Sequence, residues 1–144
     1  MSNKLVFLGG TAANNPWRDT VISDLVDRGI PRETLFNPVV ADWNEAAQAA
    51  EEQAKFEASY HVYYIAAPMQ EGNPLSAYSM VEATMALFDH PDSSVVAFDT
   101  ESMEGHPLKA MNQAKRVLVN RFPGANIFGT REELTDWLAS QLTV

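Results

Sequence analysis

The chain has 144 residues, 46% of them hydrophobic, enough to close one core of sheet and helix layers and too few for two comfortable domains, so residues 1–144 are read as a single domain. Ten Lys and Arg against 19 Asp and Glu give a net charge of -9, and no basic stripe or tail stands out, which argues against nucleic acid as a partner. With no cysteine, disulfides, thiolate nucleophiles and Cys-type zinc sites are ruled out, and the short apolar run after Met1-Ser2-Asn3-Lys4 falls far below signal or membrane-spanning length. A cytoplasmic, membrane-free location is the expectation.

Leu5-Val6-Phe7-Leu8 reads as a buried strand stopped by Gly9-Gly10. Trp17, Val21, Ile22, Leu25 and Val26 follow at helical spacing, with Gly29 as the stop and Pro31 beyond it. Leu35 to Val40 is a second strand, and the Ala- and Glu-rich stretch from Glu45 to Phe56 is a second helix. Val62 to Ala66 is the third strand. A long polar loop with Pro68, Gly72, Asn73 and Pro74 leads into a helix from Ala77 to Phe88, whose periodicity is carried by Met80, Val81, Met85, Leu87 and Phe88. Val95 to Phe98, a helix from Leu108 to Val119, Ala125 to Phe128, and a last helix from Thr130 to Leu142 complete the chain. Thr130-Arg131-Glu132-Glu133 is a capping-box start.

Strands alternating with helices predict an α/β fold: five parallel strands in a doubly wound, three-layer, flavodoxin-like sheet of order 2-1-3-4-5. Ligands of such sheets sit beyond the carboxyl ends of the strands, where the loops after the first and third strands diverge. That points to Gly9 to Arg18 and to Ala67 to Glu82, with Ala41 to Glu45 beside them.

The first segment combines glycine freedom, two amides, a helix start and the cation of Arg18, a set suited to an anionic or hydroxyl-rich ligand. It is neither a Walker loop nor a dinucleotide fingerprint. Trp17 is expected either to pack the helix on the sheet or to face a ligand. In the second segment Glu82 stands alone among small and apolar residues from Ser76 to Met85, Ser79 included, where it would serve as nucleophile, general base or hydroxyl acceptor, or simply as a solvated or dipole-pairing Glu near a helix start. Asp42 fits better as an N-cap three residues before Glu45 than as an acid, and Trp43 would stack on a base or pack. Asp99, just after the fourth strand, is placed to reach a ligand hydroxyl and is also an ordinary turn residue. The tyrosines 60, 63 and 64 read as sheet-face packing, and His61, His90 and His106 show no metal spacing.

Phe7-Leu8-Gly9-Gly10, then Trp17-Arg18, then Tyr63-Tyr64-Ile65-Ala66-Ala67-Pro68, then Ser76 and Glu82 together resemble the nucleoside 2-deoxyribosyltransferase-like superfamily over most of the chain. The resemblance implies that Glu82 attacks the anomeric carbon of a nucleoside or nucleotide and expels the base. It implies that Ser76, six residues earlier, binds a sugar hydroxyl or phosphate, as in the branch that hydrolyses deoxynucleoside monophosphates. Phe7 stands where family transferases carry Tyr, Tyr78 where Gly is common, and Ser59-Tyr60-His61 where an Asp often orients the leaving base. The expected activity is an N-glycosyl transferase or hydrolase with Glu82 as nucleophile. Acid help comes from Asp42 or a polarised water, and Phe7, Gly9, Gly10, Trp17, Arg18, Trp43, Ser76, Ser79 and Asp99 are the binding residues. No metal or organic cofactor is needed. Family members often complete the pocket with a neighbour's residues, which implies a homodimer or larger homo-oligomer. Two alternatives stay open: a catalytically inactive module that binds nucleotide derivatives, and a structural or interaction domain.

Overall fold

The computed structural model describes residues 4–11, 15–39, 44–66 and 77–143. They form one sheet of five parallel strands, β1 (Val6–Gly10), β2 (Leu35–Phe36), β3 (Tyr60–Ile65), β4 (Ser94–Phe98) and β5 (Asn126–Phe128), in the order β2-β1-β3-β4-β5. The helices are α1 (Trp17–Asp27), α2 (Glu45–Glu57), α3 (Ala77–Asp89), α4 (Gly105–Arg121) and α5 (Arg131–Leu142). The expected flavodoxin-like α/β architecture is therefore the one observed.

Two cores separate the layers because strand side chains alternate between faces. Val6, Leu8, Val62, Tyr64, Val95 and Ala97 pack against Trp17, Val21 and Leu25 of α1 and Leu134 and Leu138 of α5. Phe7, Tyr63, Ile65, Val96 and Phe98 point the other way, onto Ala54 of α2, Ala83, Ala86 and Leu87 of α3, and Met111 of α4. The second layer uses small residues where α2 and α3 meet the sheet, which lets helix backbones lie close to the strands.

Several boundaries differ from the sequence expectation. β1 continues through Gly9 and Gly10 instead of stopping at them, because both are packing positions: a β-carbon on Gly9 would overlap the Tyr63 ring, and one on Gly10 would overlap the Tyr64 carbonyl. Gly10 also has φ +116°, a conformation that favours glycine. β2 ends at Phe36, with no strand at 37–39. β3 begins at Tyr60, and α4 starts at Gly105 and reaches Arg121. The cap of α2 is Asn44, not Asp42, since the Asn44 side chain accepts the Ala47 N–H at 2.8 Å and leaves no N-cap position for a residue further back. Thr130 does cap α5, accepting the Glu133 N–H at 3.1 Å. The core side of α3 is Ser79, Ala83, Ala86 and Leu87, whereas Val81, Met85 and Phe88 face outward and are more than half exposed. Finally, α4 carries Lys109, Lys115, Arg116 and Arg121 and no carboxylate, a local basic face that the overall charge of -9 conceals. Among the described residues no helix is long and apolar enough to cross a membrane.

Candidate functional site

The carboxyl ends of β1 and β3 divide the expected site into two halves, one on each side of the sheet. On the α1 side, Arg18 turns back from the first turn of α1 onto the end of β1, where its guanidinium donates to the carbonyls of Leu8 at 2.8 Å, Thr11 at 2.9 Å and Gly10 at 2.9 Å. Burial pulls its pKa down to about 10, against the raising influence of Glu51 and Glu82. The cation that opposes the dipole at a helix start thus finds its partners in strand-end carbonyls. Trp17 lies beside it, its indole N–H donating to the Thr11 carbonyl at 2.8 Å and its ring 5.1 Å from that of Tyr64. The Thr11 hydroxyl accepts the Ala66 N–H at 3.0 Å, tying β1 to the end of β3. Asp99, at the end of β4, accepts the Tyr64 hydroxyl and, at 3.1 Å, the Glu101 N–H. Burial, then the Asp99 interaction, push the Tyr64 pKa up, so this phenol remains a donor.

On the other side, Glu82 leaves α3 toward α2, and its carboxylate forms an ion pair with Lys55. The Glu82 side chain is 14% exposed, and its Oε2, sealed from solvent, pairs with the Lys55 ammonium. Glu51, one turn before Lys55, lies 3.7 Å from the same ammonium. Burial works against the Lys55 charge, but Glu82 foremost, with Tyr78 and Glu51, outweighs it and raises the pKa. The ammonium also sits 5.4 Å over the Phe7 ring and 5.5 Å over the Tyr78 ring. Burial first, then the negative charge of Glu82, push the Tyr63 hydroxyl upward, so it too stays protonated.

These groups line a groove of about 340 Å³ between α2 and α3, with Lys55, Tyr63 and Glu82 inside and Tyr78, Val81 and Met85 along the rim. His61, at the far end of the groove, stacks on His90 with ring centroids 4.5 Å apart. Burial, then the neighbouring His90, lower the His61 pKa to about 4.

Of the residues expected to form the site, Phe7, Gly9 and Glu82 are gathered around Tyr63, while Trp17, Arg18, Gly10 and Asp99 belong to the framework beneath the strand ends. Ser79 is buried on the sheet side of α3. Asp42, Trp43 and Ser76 lie outside the described residues. Lys55 and Glu51 were not expected. The available signal was Lys55 as the single cation in the otherwise acidic α2, four residues after Glu51. Among the described residues no group of three or more His, Asp or Glu is arranged to hold a metal ion.

A carboxylate held in a half-closed groove beside a neutral phenol and an ammonium can act as a nucleophile, accept a hydroxyl, or stabilise a developing cation. No protein-family model matches the chain, and no curated protein matches it.

Proposed function

We propose that the chain is an N-glycosyl enzyme acting on nucleosides or nucleotides, a 2-deoxyribosyl transferase or a deoxynucleoside monophosphate hydrolase, with Glu82 as nucleophile. The observation that carries this reading is the Glu82 carboxylate, largely buried yet lining an open groove between α2 and α3 that runs over β3 from Tyr63 to His61, on the helix that follows the carboxyl end of β3, the end at which doubly wound sheets bind ligands. The resemblance of the surrounding motifs points to the same residue.

In the first step a Glu82 oxygen forms a bond to the anomeric carbon as the carbon–nitrogen bond to the base breaks. The bonding pair leaves with the base, which takes a proton from water or from Asp42. In the second step water, or the nitrogen of another base, attacks the glycosyl ester and returns the carboxylate. Lys55 holds Glu82 in one orientation in the resting site and must yield part of that contact when substrate enters. Tyr63 lines the groove and offers its hydroxyl as a donor, with Phe7 buried behind it as support. Gly9 keeps the floor of the groove thin. Arg18 and Gly10 shape the first loop, and Ser76 is assigned the sugar or phosphate end. The reading includes a cytoplasmic location, no cofactor, and a homodimer or larger assembly.

The test is incubation with a panel of nucleosides and monophosphates, following free base by chromatography and the glycosyl ester by intact mass, beside Glu82→Ala. Base release by the wild type with loss in the variant supports the reading, and equal release by both overturns Glu82 as nucleophile. One observation favours a second reading, an inactive binding module: the Lys55 ammonium already occupies Glu82, and Phe7 lacks the hydroxyl that transferases present at that position. Tight binding of a panel member with no release from any of them decides for the module.

A further inference from the structure

The outer surface of the α2, α3 and α4 layer is divided by helix into three strips of different chemistry. α3 is apolar on both sides. Its inner side meets the sheet, while Tyr78, Val81, Met85 and Phe88 stand outward at 69%, 59%, 58% and 54% exposure, and Phe56 of α2 adds a ring at 88%. Positions 78, 81, 85 and 88 repeat at intervals of three and four, the a and d spacing of a helix that packs on another helix. A helix with apolar residues on both its inner and its outer side is ordinarily covered on both. Together the five side chains present roughly 600 Å², close to the ~800 Å² per partner of a standard interface.

The flanking strips carry opposite charge. α2 holds Glu45, Glu51, Glu52 and Glu57 against Lys55, and α4 holds its four cations with no carboxylate. The order across the layer follows from side-chain contacts: Lys55 of α2 reaches Glu82 and Tyr78 of α3, and Phe88 of α3 packs edge-on against Phe122 just after α4, beneath Arg121. On α2, the exposed Glu45 and Glu52 are seven residues apart; on α4, so are the exposed Lys109 and Arg116, beside a hollow of about 590 Å³. Two turns of helix separate each pair, about 10 Å.

We infer that this face is the docking surface for a second copy of the chain. The two-fold axis runs lengthwise along α3, so that α3 packs on α3, and the acidic α2 of each copy lies on the basic α4 of the other. An axis across the helices would set α2 on α2 and α4 on α4, like charge on like charge. A chain of net charge -9 repels its own copy over most of its surface, and this face, with an uncharged centre and complementary flanks, relieves that repulsion. In naming a second copy the inference rests on the assembly put forward above, to which it adds the surface and the orientation; because Phe56, Tyr78, Val81 and Met85 also line the Glu82 groove, the second copy forms part of the outer wall of that groove.

The test is sedimentation velocity of the full chain over a concentration series at low and high salt, with circular dichroism to confirm folding. The wild type is expected as a dimer, Met85→Glu as a monomer. The pair Lys109→Glu and Arg116→Glu is expected to weaken the dimer about tenfold or more at low salt, and adding Glu45→Lys and Glu52→Lys to restore it. A monomeric wild type, a folded Met85→Glu variant that stays dimeric, or an α4 reversal that strengthens the dimer overturns the inference. So does a monomeric wild type that binds single-stranded nucleic acid through Lys109 and Arg116. Base release measured on the same samples separates the two proposals: a dimer that releases no base leaves the surface standing and overturns the enzyme, and an active monomer does the reverse.

Discussion

The two faces of the sheet are built from the same strands and solve different problems. Under α1 and α5, large side chains close the layer: Trp17, Val21, Leu25, Leu134 and Leu138 are buried on the sheet, and the polar groups there, Arg18 and the Trp17 indole, donate to backbone carbonyls. Under α2, α3 and α4 the buried apolar helix residues are Ala54, Ala83, Ala86, Leu87 and Met111, so α2 and α3 lie close to the strands while a groove opens between them. A framework face tolerates no opening, because each void costs packing energy. The groove face leaves Lys55 and Glu82 only partly covered, at 26% and 14% exposure, and forgoes that packing energy.

Four outcomes sharpen or break this contrast, in descending order of size. Glu82→Gln is expected to lower the rate of base release by about 10³-fold or more with little loss of folding stability, measured by single-turnover kinetics beside urea unfolding. A small rate effect with a large stability effect would move Glu82 to the framework. Trp17→Ala on the closed face is expected to cost about 3–5 kcal/mol in urea unfolding, through a cavity and the loss of the indole hydrogen bond to the Thr11 carbonyl, which keeps its Arg18 donor. A loss under 1 kcal/mol would mean the closed face repacks.

The third outcome concerns pH. His61 is held neutral in the folded chain, with its pKa lowered to about 4 from the ordinary 6.5, so the unfolded state binds the proton more readily. Stability is then fully present above pH 6.5 and falls as pH drops toward 4, by on the order of 3 kcal/mol. His61→Gln removes that slope if His61 causes it. Comparing urea midpoints of both proteins from pH 7 to 4 checks this, and parallel curves would assign the slope to other groups. The smallest effect is expected from Val81→Ala on the outer side of α3, within about 0.5 kcal/mol for the dissociated chain at low concentration, since its side chain is more than half exposed.

Much of the fold was legible because it depends on local patterns. Leu5 to Leu8, Val62 to Ala66 and Val95 to Phe98 are apolar runs of strand length, and the helices between them leave few arrangements other than a parallel doubly wound sheet. Thr130 with Glu133 was readable as a cap for the same reason. The cap of α2 was misread because Asp42 and Asn44 are both good capping residues in sequence, and only the chain direction at 44–47 separates them. Glu82 was legible as one carboxylate in an apolar stretch; its partner was not, since Lys55 lies 27 positions earlier and reaches it only because α2 and α3 are neighbours in the layer.

By itself, then, the sequence determined the strands, the helices, their parallel order and the isolation of Glu82, all of which follow from side-chain periodicity and chain punctuation. The tertiary structure decided what the periodicity left ambiguous. It turned Val81, Met85 and Phe88 outward, made Gly9 and Gly10 packing positions inside β1, committed Arg18 to carbonyls, and set Lys55 on Glu82. Each of these depends on which neighbour is within reach across the fold, and hydrophobic spacing along the chain carries no record of that.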